Sequence, residues 1–338
     1  MHVVVATDKF RGTATSAEVG GAVAAAVEAI GGTCDVVQVA DGGEGFLDAM
    51  GGANRTTLVT GPLGDPVEAA WRISGGQAVV EMAQASGLAL VADGDNDPVA
   101  ASTYGTGELI GAAIDAGAKR VFVGVGGSAT TDGGFGALRA LYPLQRLRGI
   151  DIRVACDVRT RFVDAADVFA PQKGATPTQV ELLRRRLERL AEVYTEDYGV
   201  DVSDLEGSGA AGGLAGGLAA VGATLERGFE LVADEVDLFG HLEATDLVIT
   251  GEGFVDAGSF EGKVVGGVLA LAGELGVPAL VIAGELFDEV DVLRLAGEMN
   301  PAGVSAVSLV ERFGDRRARR NTLACLAEVV THHLHQAK

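Results

Sequence analysis

The chain opens with an apolar run over residues 2–7 that stops at Asp8. A short continuous run closed by a charge predicts a buried strand. Residues 16–30 then place Val19, Val23, Ala26, Val27 and Ile30 at helical spacing, with Ser16 as N-cap and Gly31-Gly32 as the stop. Residues 34–40 read as a second strand and residues 45–50 as the start of another helix. Strand and helix alternating in this way predict a parallel sheet.

The pattern then changes. Residues 55–59, 67–73 and 77–82 are three short strand candidates, joined by Pro62-Leu63-Gly64-Asp65-Pro66 and Ser74-Gly75-Gly76. Links this tight predict antiparallel hairpins, so a different sheet and a second domain are expected here. Alternation returns with helices at 106–116, 132–141, 178–194, 210–221, 262–275 and 318–334. Strands are expected at 120–125, 152–155, 247–250, 279–282 and 304–309. The fold class is therefore α/β.

Composition narrows the partners. Of 338 residues 48% are hydrophobic but only 5% aromatic, so the core must be aliphatic. The formal charge of −21 repels nucleic acid and anionic membranes, so neither is expected as a partner. Cys34, Cys156 and Cys325 form no CxxC pair and no zinc spacing, which suits reduced thiols and a cytoplasmic location. Residues 1–5 lack a basic segment and a cleavage site, so no secretory signal is expected. No charge-free apolar run approaches the length of a membrane span.

Candidate chemistry sits in glycine-rich acidic motifs at the expected strand ends, where open α/β sheets bind ligands. Asp8-Lys9-Phe10-Arg11-Gly12 and Asp41-Gly42-Gly43-Glu44-Gly45 bring three carboxylates toward one sheet edge. Asp8, Asp41 and Glu44 are candidates for a catalytic base or a metal ligand, against the plainer reading of solvated turn carboxylates. Lys9 and Arg11 beside them are candidates for a substrate carboxylate or phosphate. Gly127, Ser128 and Thr130 precede Asp132 in Gly126-Gly127-Ser128-Ala129-Thr130-Thr131-Asp132-Gly133-Gly134, a loop able to hold phosphate. Asp132 is a catalytic candidate, although capping of the next helix would alone explain it. Lys173, between Gln172 and Gly174, is a phosphate contact candidate. Glu252 and Asp256 are candidates for holding Mg²⁺, with Lys263 close behind in sequence.

Two patterns are near misses. Gly207-x-Gly209-x-x-Gly212 fits a dinucleotide fingerprint but follows no clear strand. Its glycines suit helix packing or a nucleotide phosphate. Residues 258–264 lack the spacing and the hydroxyl of a Walker A loop. The histidines lie outside all these motifs, so no Ser/His/Asp hydrolase arrangement is expected.

Taken in order, the motifs resemble the type I glycerate kinase family over residues 3–282. Asp-Gly-Gly-Glu-Gly stands intact at 41–45 and Thr-Gly-Glu-Gly at 250–253. Others are altered: Lys9 and Arg11 stand where the family has Ser and Lys, Thr131 replaces Asn, Ala170 and Ser208 replace Gly and Ala, and residues 142–155 and 159–162 are shortened. The resemblance implies ATP-dependent, Mg²⁺-assisted phosphorylation of glycerate, with 2-phosphoglycerate as the expected product. It implies Asp41 as the preferred base, Lys9 or Arg11 with Gly42 and Gly43 at the substrate, and nucleotide contacts from Gly127, Ser128, Thr130, Lys173, Gly209, Gly212 and Lys263. Asp157, Glu252 and Asp256 are the implied metal ligands. It further implies one flavodoxin-like domain, placed at 1–60 plus 246–338, an inserted α/β domain at 61–245, and catalysis in the cleft between them. A monomer or homodimer is expected. The altered motifs keep two alternatives open: a kinase of another small hydroxy acid or polyol, and a non-catalytic ligand-binding regulatory relative.

Overall fold

A computed structural model describes residues 1–10, 12–92 and 94–336. Among these, the strands are β1 (His2–Val5), β2 (Thr33–Val36), β3 (Arg55–Thr60), β4 (Pro66–Ser74), β5 (Gln77–Glu81) and β6 (Arg120–Gly124). They continue with β7 (Asp151–Ala155), β8 (Thr224–Glu226), β9 (Leu247–Val255), β10 (Ala279–Leu286) and β11 (Val304–Ser308). The chain packs as two compact units, one of residues 1–41 and 229–338, the other of residues 42–228.

The first unit holds a five-stranded sheet in the order β2-β1-β9-β10-β11, parallel throughout. This is the flavodoxin-type order, in which the chain reverses direction across the sheet at the first strand. Alternation along β1 explains why the sequence shows a continuous apolar run. Val3 and Val5 pack into one core with Val19, Val23 and Val329, whereas Val4 joins the opposite core with Val265 and Val268. Both faces are buried under helices, so no polar position is tolerated until the strand ends.

The second unit holds a six-stranded mixed sheet in the order β3-β4-β5-β6-β7-β8. β3, β4 and β5 pair antiparallel, as the tight links predict, and β5 through β8 run parallel. Its main core is aliphatic, built from Leu109, Ile110, Val121, Val123, Val154 and Leu214 among others.

The packing boundaries fall at 41/42 and 228/229, whereas the sequence placed the seams near 60 and 245. The shift at the first seam follows from β3, whose whole length pairs with β4. At the second, Phe229, Ala233, Leu238 and Leu242 enter the core of the first unit. Several elements also differ in extent. β2 stops at Val36, although the Val37 amide still donates to Val5 O at 3.0 Å, a distance typical of the ladder. The helix expected at 132–141 begins only at Phe135, and that expected at 318–334 is divided into Asp315–Arg320 and Thr322–Gln336.

Candidate active site

In the first unit the carboxyl ends of β1 and β9 lie side by side at the point where strand order reverses. The Asp8 amide donates to Gly251 O at 3.0 Å, which fixes the two strand ends against each other. Gly251 is required there: a Cβ would lie 1.8 Å from Ile282 O of the neighbouring β10. Beyond it, Glu252 is the focus of the local charges. Burial pushes its carboxyl above the usual range, and Asp8 and Asp41 push the same way. The Ser259 hydroxyl and the Lys263 ammonium oppose the shift. Three carboxylates and a lysine therefore share one sheet edge, at the position where open α/β sheets take their ligands.

Two polar atoms at this edge lack hydrogen-bond partners among the described residues: Glu252 Oε1 and Thr250 Oγ1, both buried. Ser259 is buried as well, and its Oγ accepts the Asp256 N–H at 3.2 Å. Lys9 donates its amide to Asp8 Oδ1 at 2.7 Å, which orients that carboxylate. Arg11 lies outside the described residues.

Within the first unit Asp8 and Asp41 both act on Glu252, and Glu44, three residues after Asp41, is exposed on the turn that opens the second unit. Asp157 also belongs to the second unit, where its Oδ1 accepts the Gly228 amide at 2.8 Å. Among the described residues no three His, Cys, Asp or Glu side chains form a ready-made cation cage. Mg²⁺ does not need one, because it is usually held by one or two carboxylates, waters and substrate phosphates. The unpartnered Glu252 oxygen fits that requirement.

The second unit builds its own loop cluster at the carboxyl ends of β5, β6 and β7. The Gly126 amide donates to Gly42 O at 3.3 Å, and a Cβ on Gly42 would meet Ala155 O at 2.8 Å, so the 42–45 turn lies directly on the strand ends. Gly127 is exposed on the loop after β6. Lys173 is buried beneath this loop with 2% exposure, and its Nζ donates to Ser128 Oγ at 2.8 Å and to Thr130 O at 2.6 Å. Burial lowers its pKa to about 8, against the pull of Asp132. Two of its three N–H bonds thus brace the loop, and Thr130 is itself buried.

Asp132 is held by structural bonds. Its Oδ2 accepts from the Thr103 amide at 2.8 Å, the Thr103 hydroxyl at 2.9 Å and the Gly136 amide at 3.2 Å, and its Oδ1 accepts from the Gly134 amide at 3.1 Å. Burial raises its pKa while these donors lower it. The plainer reading of Asp132, a cap for the following helix, is what these contacts describe. Gly209 and Gly212 serve close packing. A Cβ on Gly209 would lie 2.3 Å from Arg161 O, and one on Gly212, at φ +66°, would lie 2.1 Å from Thr130 O.

Sequence reasoning missed several participants. Ser259 and Thr250 are ordinary hydroxyls in sequence. Thr103 lies far from Asp132 in the chain. Glu81 ends β5 just as Asp8 follows β1, and that signal was available. It is buried, accepts the Leu47 amide at 2.7 Å, and has its carboxyl raised by burial. Cys156, also buried, has its thiol pushed up to about 11 by burial and by Asp157, so it stays protonated and non-nucleophilic.

A flavodoxin-type sheet with clustered carboxylates at its reversal point, joined to a second α/β unit rich in strand-end glycine loops, defines an α/β enzyme of small-molecule substrates. The sequence profile of the glycerate kinase family matches residues 3–142 and 143–331. The chain belongs to the glycerate kinase family, and it is a kinase. It is 40% identical to a glycerate 2-kinase of Escherichia coli (strain K12), covering 88% of each chain. It is 37% identical to a glycerate kinase of Bacillus subtilis (strain 168), covering 85% of each. A solved structure assigned as glycerate kinase 2 from Salmonella typhimurium LT2 matches it with a TM-score of 0.82 at 34% identity. That match covers 100% of this chain and 99% of the other.

Proposed function

We propose that the protein transfers the terminal phosphoryl group of ATP to the 2-hydroxyl of glycerate, with Mg²⁺ assisting. The observation that carries this reading is Glu252: a carboxylate with an unpartnered buried oxygen, set beside Asp8, Asp41 and Lys263 at the reversal point of the sheet. Glu252 and Asp256 are the residues that would hold Mg²⁺, whose charge offsets that of the phosphates. Asp41 accepts the proton of the acceptor hydroxyl at its carboxylate. Lys9 or Arg11 holds the substrate carboxylate, which places the adjacent 2-hydroxyl nearest Asp41. Lys263 offsets negative charge, and Gly127 and Ser128 are the phosphate contacts of the second unit. The name of the Escherichia coli relative agrees with the 2-position. No helix among the described residues is long and apolar enough to cross a membrane. We place the activity in the cytoplasm, without a nucleic-acid partner, in a monomer or homodimer.

The test is an assay of purified protein with ATP, Mg²⁺ and a panel of hydroxy acids, with the product read by phosphorus NMR. Formation of 2-phosphoglycerate is expected. Exclusive 3-phosphoglycerate would overturn the placement of the carboxylate anchor. Faster turnover of another hydroxy acid or polyol would overturn glycerate as the substrate.

A further inference from the structure

The first unit carries a concentration of positive charge that the phosphotransfer chemistry above does not use. Between Glu311 and Asn321 five arginines meet two acidic residues, in a chain of formal charge −21. Arg317 pairs with Glu328 at 2.7 Å, and Arg319 pairs with Asp315 and lies 3.6 Å from Glu285. Arg312, Arg316 and Arg320 are exposed and make no ion pair with any carboxylate among the described residues. Arg316 and Arg320 stand four apart on the helix Asp315–Arg320, a spacing at which like charges destabilise a helix.

These side chains also share a shape. Arg316, Arg317 and Arg320 line an open concavity of about 560 Å³ together with Phe313, Asn321 and Asp315, whose carboxylate is paired with Arg319. The Phe313 ring holds the Arg317 guanidinium at 4.7 Å and the Arg312 guanidinium at 5.7 Å from its centroid. Stacking of this kind fixes the plane of a guanidinium. Arg317, so held, donates from its N–H edge to Glu328, which leaves Arg316 and Arg320 as the cations lining the concavity that are unpaired among the described residues. Ala318 and Arg319, by contrast, line a separate small cavity with Phe10 and Gly253. The arginine concavity is thus distinct from the surface nearest Glu252.

We infer that this concavity binds a polyvalent phosphate compound, gripped by Arg316 and Arg320. A single carboxylate would satisfy one guanidinium. Two guanidiniums about one helical turn apart call for a ligand with more than one anionic group. A phosphate chain meets that requirement, whether it comes from a nucleotide or from another phosphorylated metabolite.

Titration calorimetry with inorganic tripolyphosphate tests this directly. Wild type is expected to bind, and Arg316→Ala/Arg320→Ala is expected to raise Kd about tenfold or more while circular dichroism melting is unchanged. Arg148→Ala, which removes an exposed arginine of the second unit, is expected to leave Kd as it is. If the alanine pair fails to fold, Arg316→Lys/Arg320→Lys keeps the charge but loses the fork, and a smaller rise in Kd is expected. Competition then assigns the source. Displacement by ATP alone marks a nucleotide, and displacement by a phosphorylated hydroxy acid marks a metabolite; either supports the site. The inference is overturned by no binding, by equal Kd in wild type and the alanine pair, by an equal loss in Arg148→Ala, or by tighter binding of a single-stranded oligonucleotide.

Discussion

The Ser259 hydroxyl hydrogen-bonds the Glu252 carboxylate while accepting the Asp256 N–H at 3.2 Å. One buried side chain thereby ties Glu252, near the end of β9, to Asp256, which follows that strand. Ser259→Ala is expected to lower kcat about tenfold or more, because hydrogen bonds to charged groups are the stronger ones. Ser259→Thr should restore most of it. Steady-state kinetics of the two variants, with ATP and glycerate varied separately, checks this. Equal loss in both would reduce Ser259 to a packing role.

Asp41 and Glu44 come from one motif but lie in different units, with Glu44 exposed. Asp41→Asn is expected to cut kcat by roughly 10²-fold with folding intact, the range for loss of a general base. Glu44→Gln should stay close to wild type. The reverse ranking would move the base to Glu44.

Asp132 collects donors from Thr103, Gly134 and Gly136. Asp132→Ala leaves these groups unsatisfied and should destabilise the protein by about 3 kcal/mol. Urea unfolding measures the loss. A change below about 1 kcal/mol would mean that water replaces the carboxylate without cost.

Much of this was legible in sequence, and the reason is geometric. A strand buried on both faces tolerates no charge, so Asp8 announced the end of β1; Glu252 misled, because β9 continues to Val255 beside β10. Hairpins were legible because Pro62 to Pro66 and Ser74 to Gly76 leave no room for a crossover helix. β8 was not, since Thr224–Glu226 is a three-residue strand with no apolar run. Lys173 was visible as part of a loop motif, but its bonds to Ser128 and Thr130, on a loop more than forty residues earlier, are reported by no local pattern. The partnership of Ser259 with Glu252 was hidden for the same reason: residues 253–258 of strand and turn separate them, and only the folded turn brings the hydroxyl back.

Lys173 gives a pH signature. Its pKa falls from 10.5 to about 8 in the folded chain through burial. Between these values the unfolded chain holds a proton that the folded chain has released. This group therefore makes stability rise with pH above 8. Tyr194, raised by burial, contributes the opposite trend above its ordinary value of 10. Denaturant midpoints from pH 8 to 10 should thus fall less steeply, or rise more, in wild type than in Lys173→Met. Parallel profiles would show that the amine titrates normally.

Activity should vanish on chelation of Mg²⁺ and return on its addition, because clustered carboxylates and ATP phosphates otherwise repel. Full turnover in excess chelator would remove the metal from the proposal.

The division of the chain at 41/42 and 228/229 also dictates an order of assembly. β1 is an interior strand of its sheet, yet its neighbour β9 begins only at Leu247, a sequence separation that slows pairing. The second unit is contiguous and holds its own sheet, so it can complete its core while β1 and β2 still wait with apolar edges uncovered. Nascent chains halted before residue 247 should therefore carry a protease-resistant middle and a protease-sensitive start. The N-terminal valines that make β1 so well buried in the finished protein are, during synthesis, its longest-exposed hydrophobic segment.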